Sequence, residues 1–261
     1  MPEISIRGRR IGYEVQPRDF NKSDLSLVLV HGTAGDREDW RAQLDGLSNI
    51  ANVFAVELPG HGKSEPPGES DVEAYSGWVM DFIEIVGLQR VVLVGCSLGS
   101  AVCQTIALSS PAWLKGLGVV GGGARLKVHP AFLQGIVGDK ENALNQFAKY
   151  ALSEKADESL KKRILDKFFA APAELLEGDL GACNAFDVMD RLKELNLPTC
   201  IVVGEEDRLT PVKYSKFLHR SIEGSTLTVL PATGHLAMLE KPGEFNRVLG
   251  DFLARLTETR S

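Results

Sequence analysis

The stretch VVLVGCSLGSAVCQTIAL, residues 91–108, decides how the chain folds around it. Its first half is an unbroken aliphatic run, the composition of a strand buried on both faces. Its second half is an apolar segment with helical character. Between the two, Gly95, Ser97 and Gly99 spell G-x-S-x-G. Glycines there permit a sharp strand-to-helix turn, which lifts the serine above the sheet in a strained backbone conformation. With 26 glycines in 261 residues the bare motif carries little weight, and it is the strand–turn–helix setting that makes it informative. A buried turn serine without chemistry is the competing account.

Outward from this turn, short apolar runs alternate with segments of helical period. Ile4 to Arg7 and Ile11 to Val15 suggest an opening hairpin. LSLVLV (25–30), VFAVEL (53–58), VVLVG (91–95), LGVVG (117–121), CIVVG (200–204) and TLTVL (226–230) follow as further strands. The later runs suggest strands buried on both faces. Val72, Tyr75, Val79, Phe82, Ile83 and Val86 recur at three- and four-residue spacing, as do Phe245, Val248, Leu249, Phe252 and Leu256, so both segments should be amphipathic helices. Pro242 suits the first turn of the second. Such alternation predicts an α/β fold, a mostly parallel sheet of about eight strands with helices on both faces. It fails between residues 124 and 195, where helical patterns such as Leu144/Phe147/Ala148/Ala151 and Leu160/Ile164/Phe168 replace strands. The expected organisation is therefore a core of residues 1–123 and 196–261 with a helical insertion at 124–195.

A serine hydroxyl is a weak nucleophile at neutral pH. It needs a base, and an imidazole base needs a carboxylate to fix its tautomer. His235 follows strand TLTVL in the segment PATGH, and Asp207 follows strand CIVVG in GEEDRLTP. Both positions fall on loops at carboxyl ends of parallel strands, where open α/β sheets place their sites. His129 lies in the insertion, His219 sits in a helical pattern beside Lys216 and Arg220, and His31 and His61 precede Ser97 in the chain. Glu205 and Glu206 are the rival acids, and the spacing from Gly204 favours Asp207.

Composition limits the rest. Acids and bases are interspersed and the net charge is −6, so there is no basic domain to neutralise a phosphate backbone, and nucleic acid is not an expected partner. No run of about 18 apolar residues suggests a membrane span, and the first residues, MPEISIRGRR, lack the apolar region of a secretion signal. The expected address is the cytoplasm. The four cysteines, Cys96, Cys103, Cys183 and Cys200, show no CxxC pairing, and the five histidines show no metal-ligand spacing.

The chain resembles the α/β-hydrolase superfamily over nearly its full length. The match rests on His31-Gly32, on Gly60-His61-Gly62-Lys63-Ser64, on the serine turn at 95–99, and on Asp207 with Gly234-His235. The order Ser, Asp, His is the one associated with this fold. The resemblance implies an oxyanion hole made by the backbone N–H groups of Leu98 and Thr33, with Ala34 as second choice for the upstream donor. It implies that His31 and the 60–64 segment shape turns around the pocket, and that residues 124–195 form a cap over the active site. Phe132, Leu144, Phe147 and Phe168 are then candidate substrate-binding residues. Cys96 and Ser100 depart from common family patterns, Ser100 standing where a second glycine often follows the motif. The implied activity is hydrolysis of a carboxylic ester, thioester or lactone through an acyl-enzyme on Ser97, with no cofactor. Carbon–carbon bond hydrolysis or a related lyase reaction, and a non-catalytic receptor on the same fold, are the alternatives. The expected partner is a small acyl substrate. An acyl carrier protein docking on Lys161, Lys162, Arg163 and Lys167 is a further option, weakened by Asp157, Glu158 and Asp166 nearby.

Overall fold

A computed structural model of the chain describes residues 2–258. Eight strands form one sheet: β1 (Glu3–Ile6), β2 (Arg9–Gln16), β3 (Leu25–Val30), β4 (Asn52–Val56), β5 (Arg90–Cys96), β6 (Leu114–Val120), β7 (Thr199–Gly204) and β8 (Thr226–Leu230). Their order across the sheet is β1-β2-β4-β3-β5-β6-β7-β8. β1 pairs with β2 and β2 with β4 antiparallel, and every other neighbouring pair is parallel. Beyond β3 the chain first steps to one side, to β4, and then returns to place β5 on the other side of β3. That reversal opens a crevice at the carboxyl ends of β3 and β5, the place where open α/β sheets take their ligands.

The period-2 alternation of each strand divides its side chains between two cores. Val91 and Leu93 face one core and Val92 and Val94 the other. The first core is closed by α2 (Val72–Val86), α3 (Leu98–Leu108) and α8 (Val212–Ser221). The second is closed by α1 (Arg41–Leu47), α9 (Ala237–Glu240) and α10 (Pro242–Glu258). Each fully buried aliphatic side chain in these layers contributes roughly 1.5–3 kcal/mol of transfer free energy. Asp71 caps α2 through the Ala74 amide, and Gly87, left-handed at φ 79°, ends it. β8 departs from the expectation of burial on both faces: as the sheet's edge strand it pairs only with β7, and Thr226 and Val229 are exposed.

Four helices intervene between β6 and β7: α4 (Pro130–Gly138), α5 (Lys140–Ala151), α6 (Glu158–Ala170) and α7 (Ala173–Ala185). They share a third hydrophobic cluster, built on Ile136, Leu144, Ile164, Phe168, Leu176 and Leu180. The chain enters and leaves this layer through a narrow junction, where Arg125 bridges Asp187 and the Val188 amide donates to the Ala124 carbonyl at 2.8 Å.

A part-buried ion triad ties the helical layer to the sheet. Lys167 of α6 reaches Asp36 Oδ1 at 2.9 Å and Asp39 Oδ1 at 2.6 Å, in the loop and 3₁₀ turn after β3. Burial works against charge on Lys167, but the two carboxylates outweigh it and hold the ammonium above its ordinary pKa. Burial raises Asp39, whereas Asp36 ends below its ordinary value because Lys167 overcomes its desolvation. Lys167→Met strips both carboxylates of their counter-charge and should destabilise the protein by roughly 2–3 kcal/mol. Thermal unfolding should register this as a fall of about 5–10 °C in Tm. A Tm within a degree of the wild type would show that the triad contributes nothing net.

Candidate functional site

The turn between β5 and α3 has the strained form that the sequence suggests. Ser97 sits at φ 53° and ψ −117°, in the left-handed half of backbone space, where a non-glycine residue is uncommon. The flanking glycines are required by contact. A Cβ on Gly95 would collide with the Gly99 carbonyl, and one on Gly99 would collide with the Val30 and His31 carbonyls at the end of β3. Ser100 helps hold the turn, its hydroxyl donating to the Ser97 carbonyl at 2.6 Å. A second glycine at this position could not make that bond.

His235 and Asp207 come together beside this turn, on the loops after β8 and β7. His235 Nδ1 lies 2.9 Å from Asp207 Oδ2, and both side chains are buried. The carboxylate is saturated with donors. Its Oδ1 accepts the amides of Leu209 and Thr210 at 2.9 and 2.8 Å, and its Oδ2 accepts the Thr210 hydroxyl at 2.8 Å as well as His235. A carboxylate so held cannot rotate, and because it only accepts, His235 must carry its proton on Nδ1. Nε2 is thereby left as the basic nitrogen, and it is buried without a hydrogen-bond partner among the described residues. Ser97 and His235 line one small cavity of about 30 Å³ together with Thr33 and Phe168. Below the imidazole, Gly121 at φ 50° lies so close that a Cβ there would press on the ring. Glu205 and Glu206 point elsewhere, bonding the amides of Ala232 and Glu154.

The loop after β3 supplies the other wall. The Gly35 amide donates to the Gly32 carbonyl at 2.9 Å, closing a turn with Ala34 at φ 54°. The Ala34 amide is spoken for, donating to Asp179 Oδ2 at 3.2 Å. Among the described residues no acceptor takes the amide of Thr33 or of Leu98, and both residues border the serine turn. His31 and His61 lie buried behind this loop. His31 accepts the Leu58 amide on Nε2 at 3.0 Å, and burial together with neighbouring His61 pushes its pKa down to about 3, so it stays neutral.

A larger cavity of about 520 Å³ opens from Ser97 and Thr33 toward α4 and α5. Phe132 and Phe147 line it, their rings edge-to-face at 5.9 Å. Leu144 does not reach it. That side chain is buried between the inserted helices and borders only a void of about 10 Å³, because its position on α5 faces the layer's own core. Phe168 packs against Phe147 with the rings tilted and their centroids 4.6 Å apart, and it borders the small cavity at Ser97 rather than the large one.

Three neighbours of the site escape the sequence patterns. Thr210, three residues after Asp207, bridges it to His235, with its hydroxyl 3.1 Å from Nδ1. Glu240 clamps the amides of Gly234 and Ser153, joining the histidine loop to the chain after α5. Asp179 is an acid on the apolar face of α7, in step with Leu176, Leu180 and Cys183, and that misplacement was its visible signal.

A family model described as alpha/beta hydrolase fold matches residues 26–242, which include the serine turn, both of its partners and the loop after β3. The chain belongs to the α/β-hydrolase fold family. A solved structure titled as a thermophilic esterase superposes on this α/β-hydrolase chain with a TM-score of 0.87 and 30% identity, covering 98% of this chain and 97% of that one. The pimeloyl-[acyl-carrier protein] methyl ester esterase of Aeromonas hydrophila is 29% identical over 87% of this chain and 94% of its own length. The dihydrolipoyllysine-residue acetyltransferase component of the acetoin cleaving system of Cupriavidus necator is 25% identical over 86% of this chain. This chain spans 62% of that relative's length. Among the described residues no helix is long and apolar enough to cross a membrane.

Proposed function

We propose that this α/β hydrolase is a serine esterase that cleaves carboxylic esters through an acyl-enzyme on Ser97. The observation that carries the proposal is the strained serine at the head of α3 sharing one cavity with a histidine whose Nδ1 is held by a saturated carboxylate. In this account Ser97 Oγ attacks the acyl carbonyl as His235 Nε2 takes its proton, and Asp207 stabilises the imidazolium through Nδ1. The oxyanion that develops is met by the Thr33 and Leu98 amides, whose lack of other acceptors suits them to the task. His235 then protonates the departing alcohol, and water repeats the sequence on the acyl-enzyme. Similarity to proteins named as esterases supports the ester as substrate class. The test is a panel of esters, thioesters and lactones of graded acyl length, assayed with the purified protein and with Ser97→Ala. Absence of turnover across the panel would reject the assignment.

Residues 124–195 act here as a cap that selects the acyl group. Phe132→Ala and Phe147→Ala enlarge the cavity above Ser97, and each should change the octanoyl-to-acetyl ratio of kcat/KM by roughly 10-fold or more, as expected of a pocket change worth about 1–3 kcal/mol. Leu144→Ala should lower stability and leave that ratio alone. Ratios within threefold of the wild type for both phenylalanine variants would remove the cap from specificity.

An acyl group delivered on a carrier protein is a second reading, favoured by the name of the Aeromonas relative. The basic face of α6 gives it little support: Lys161 pairs with Glu158, Lys162 with Asp166, and Lys167 turns inward to Asp36 and Asp39. A free small ester is the better fit.

A further inference from the structure

Asp179 is wholly buried on α7, at the interface with the loops that follow β3 and β4. Three donors from three separate segments converge on its carboxylate. The Ala34 amide and His61 Nε2 reach Oδ2 at 3.2 and 3.0 Å, and the Tyr75 hydroxyl reaches Oδ1 at 2.7 Å. The ester-hydrolysis scheme uses none of these groups, yet Ala34 directly follows Thr33, the residue to which that scheme assigns an oxyanion donor.

The turn from Gly32 to Gly35 is where the carboxylate acts. A positive φ at its third position is the signature of a type II turn, and that position favours glycine, whereas this chain has alanine at φ 54°. An alanine there favours the alternative turn, reached by flipping the peptide plane between residues 33 and 34. The flip would swing the Ala34 N–H away from Asp179 and reorient the backbone around Thr33. A buried carboxylate aimed at the Ala34 amide opposes it.

We propose that Asp179 is a positioning residue for the oxyanion-binding loop, so that the Thr33 donor is correctly aimed only while helix α7 is docked against the sheet domain. The inference rests on the serine-esterase reading of the site. His61 supplies the compensating charge. Its Nδ1 faces the Pro59 carbonyl and its Nε2 faces Asp179, so both ring nitrogens meet acceptors, which suits the doubly protonated ring. Burial alone would lower the pKa of His61, but the Asp179 carboxylate outweighs burial and holds it above the ordinary histidine value.

Asp179→Asn tests this with an isosteric change. Without the carboxylate, His61 becomes neutral, keeps its proton on Nδ1 for Pro59, and turns Nε2 into an acceptor. The new amide NH₂ then donates to Nε2 and its oxygen meets Tyr75, which leaves the Ala34 N–H without its acceptor. A trifluoromethyl ketone that adds to Ser97 as a hemiketal oxyanion reports the loop directly. With an acetyl ester as substrate, kcat should fall about 10–100-fold, short of the ~10²–10³ for outright loss of a donor. The ketone's Ki should weaken by the same factor, while KM stays within threefold. A purely structural role would reduce the active fraction, and hence kcat, without moving Ki. Tyr75→Phe, which loses one oxygen and lets the carboxylate swing, should weaken Ki at least threefold, and it decides the matter if the asparagine variant does not fold. A wild-type Ki in whichever of the two variants folds would overturn the inference. A wild-type protein that neither binds the ketone nor turns over the ester would overturn the esterase reading, and this inference with it.

Discussion

Ser97→Ala is expected to lower kcat for a small ester by about 10⁶-fold, the scale on which loss of a triad nucleophile is felt when the three groups act as a unit. The variant deletes one oxygen from a residue that sits at the head of α3 and makes no side-chain capping bond. Its backbone strain is imposed by the close approach of Gly95 and Gly99 to neighbouring carbonyls, and that remains. Folding and Tm should therefore be nearly unchanged, and a residual rate of about 10³–10⁴ over water should remain, supplied under this proposal by the Thr33 and Leu98 amides and by substrate binding. A variant that keeps more than a hundredth of wild-type turnover would place the nucleophile elsewhere.

Asp207→Asn should cost about 10⁴-fold in kcat while leaving the fold intact. The direction follows from the donors around the carboxylate. Two amides, Leu209 and Thr210, converge on Oδ1, so an asparagine places its oxygen there and its NH₂ at the Oδ2 position, against His235 Nδ1. Nδ1 must then accept, which forces the proton onto Nε2, and a protonated Nε2 cannot take the Ser97 proton. The Thr210 hydroxyl, now facing an NH₂, turns to accept and offers no remedy. Steady-state kinetics at neutral pH checks the magnitude. A loss below tenfold would mean that Asp207 does not set the tautomer, and attention would shift to Thr210, 3.1 Å from Nδ1.

All eight strands and the two long amphipathic helices were legible in the sequence, because hydrophobic period and glycine punctuation are local signals. β8 was read as more buried than it is, since TLTVL has the composition of an interior strand and its place at the sheet edge is a property of topology. That Ser97, Asp207 and His235 meet at one end of the sheet was legible because each stands just past a strand, and the parallel sheet brings those strand ends level. The helical layer between β6 and β7 was legible as helical but not as a surface. Phe132, Leu144, Phe147 and Phe168 all fall at helical spacing, and only packing among α4 to α7 decides that Phe132 and Phe147 face the large cavity while Leu144 faces its neighbours. The roles of Asp179 and Lys167 were out of reach for a related reason. Asp179 stands out as an acid on an apolar helix face, but the partners of both residues lie more than a hundred residues away, and what each charge binds is legible only once those partners are placed.

The most direct test of the account is mass spectrometry of the intact protein, and of its peptides, after reaction with a fluorophosphonate. This reagent phosphonylates a serine only where a base takes its proton and an oxyanion hole receives the phosphoryl oxygen. One adduct per chain is expected, mapped to Ser97, absent from Ser97→Ala and formed far more slowly by Asp207→Asn. An unmodified wild-type protein, or an adduct on a residue other than Ser97, would contradict it.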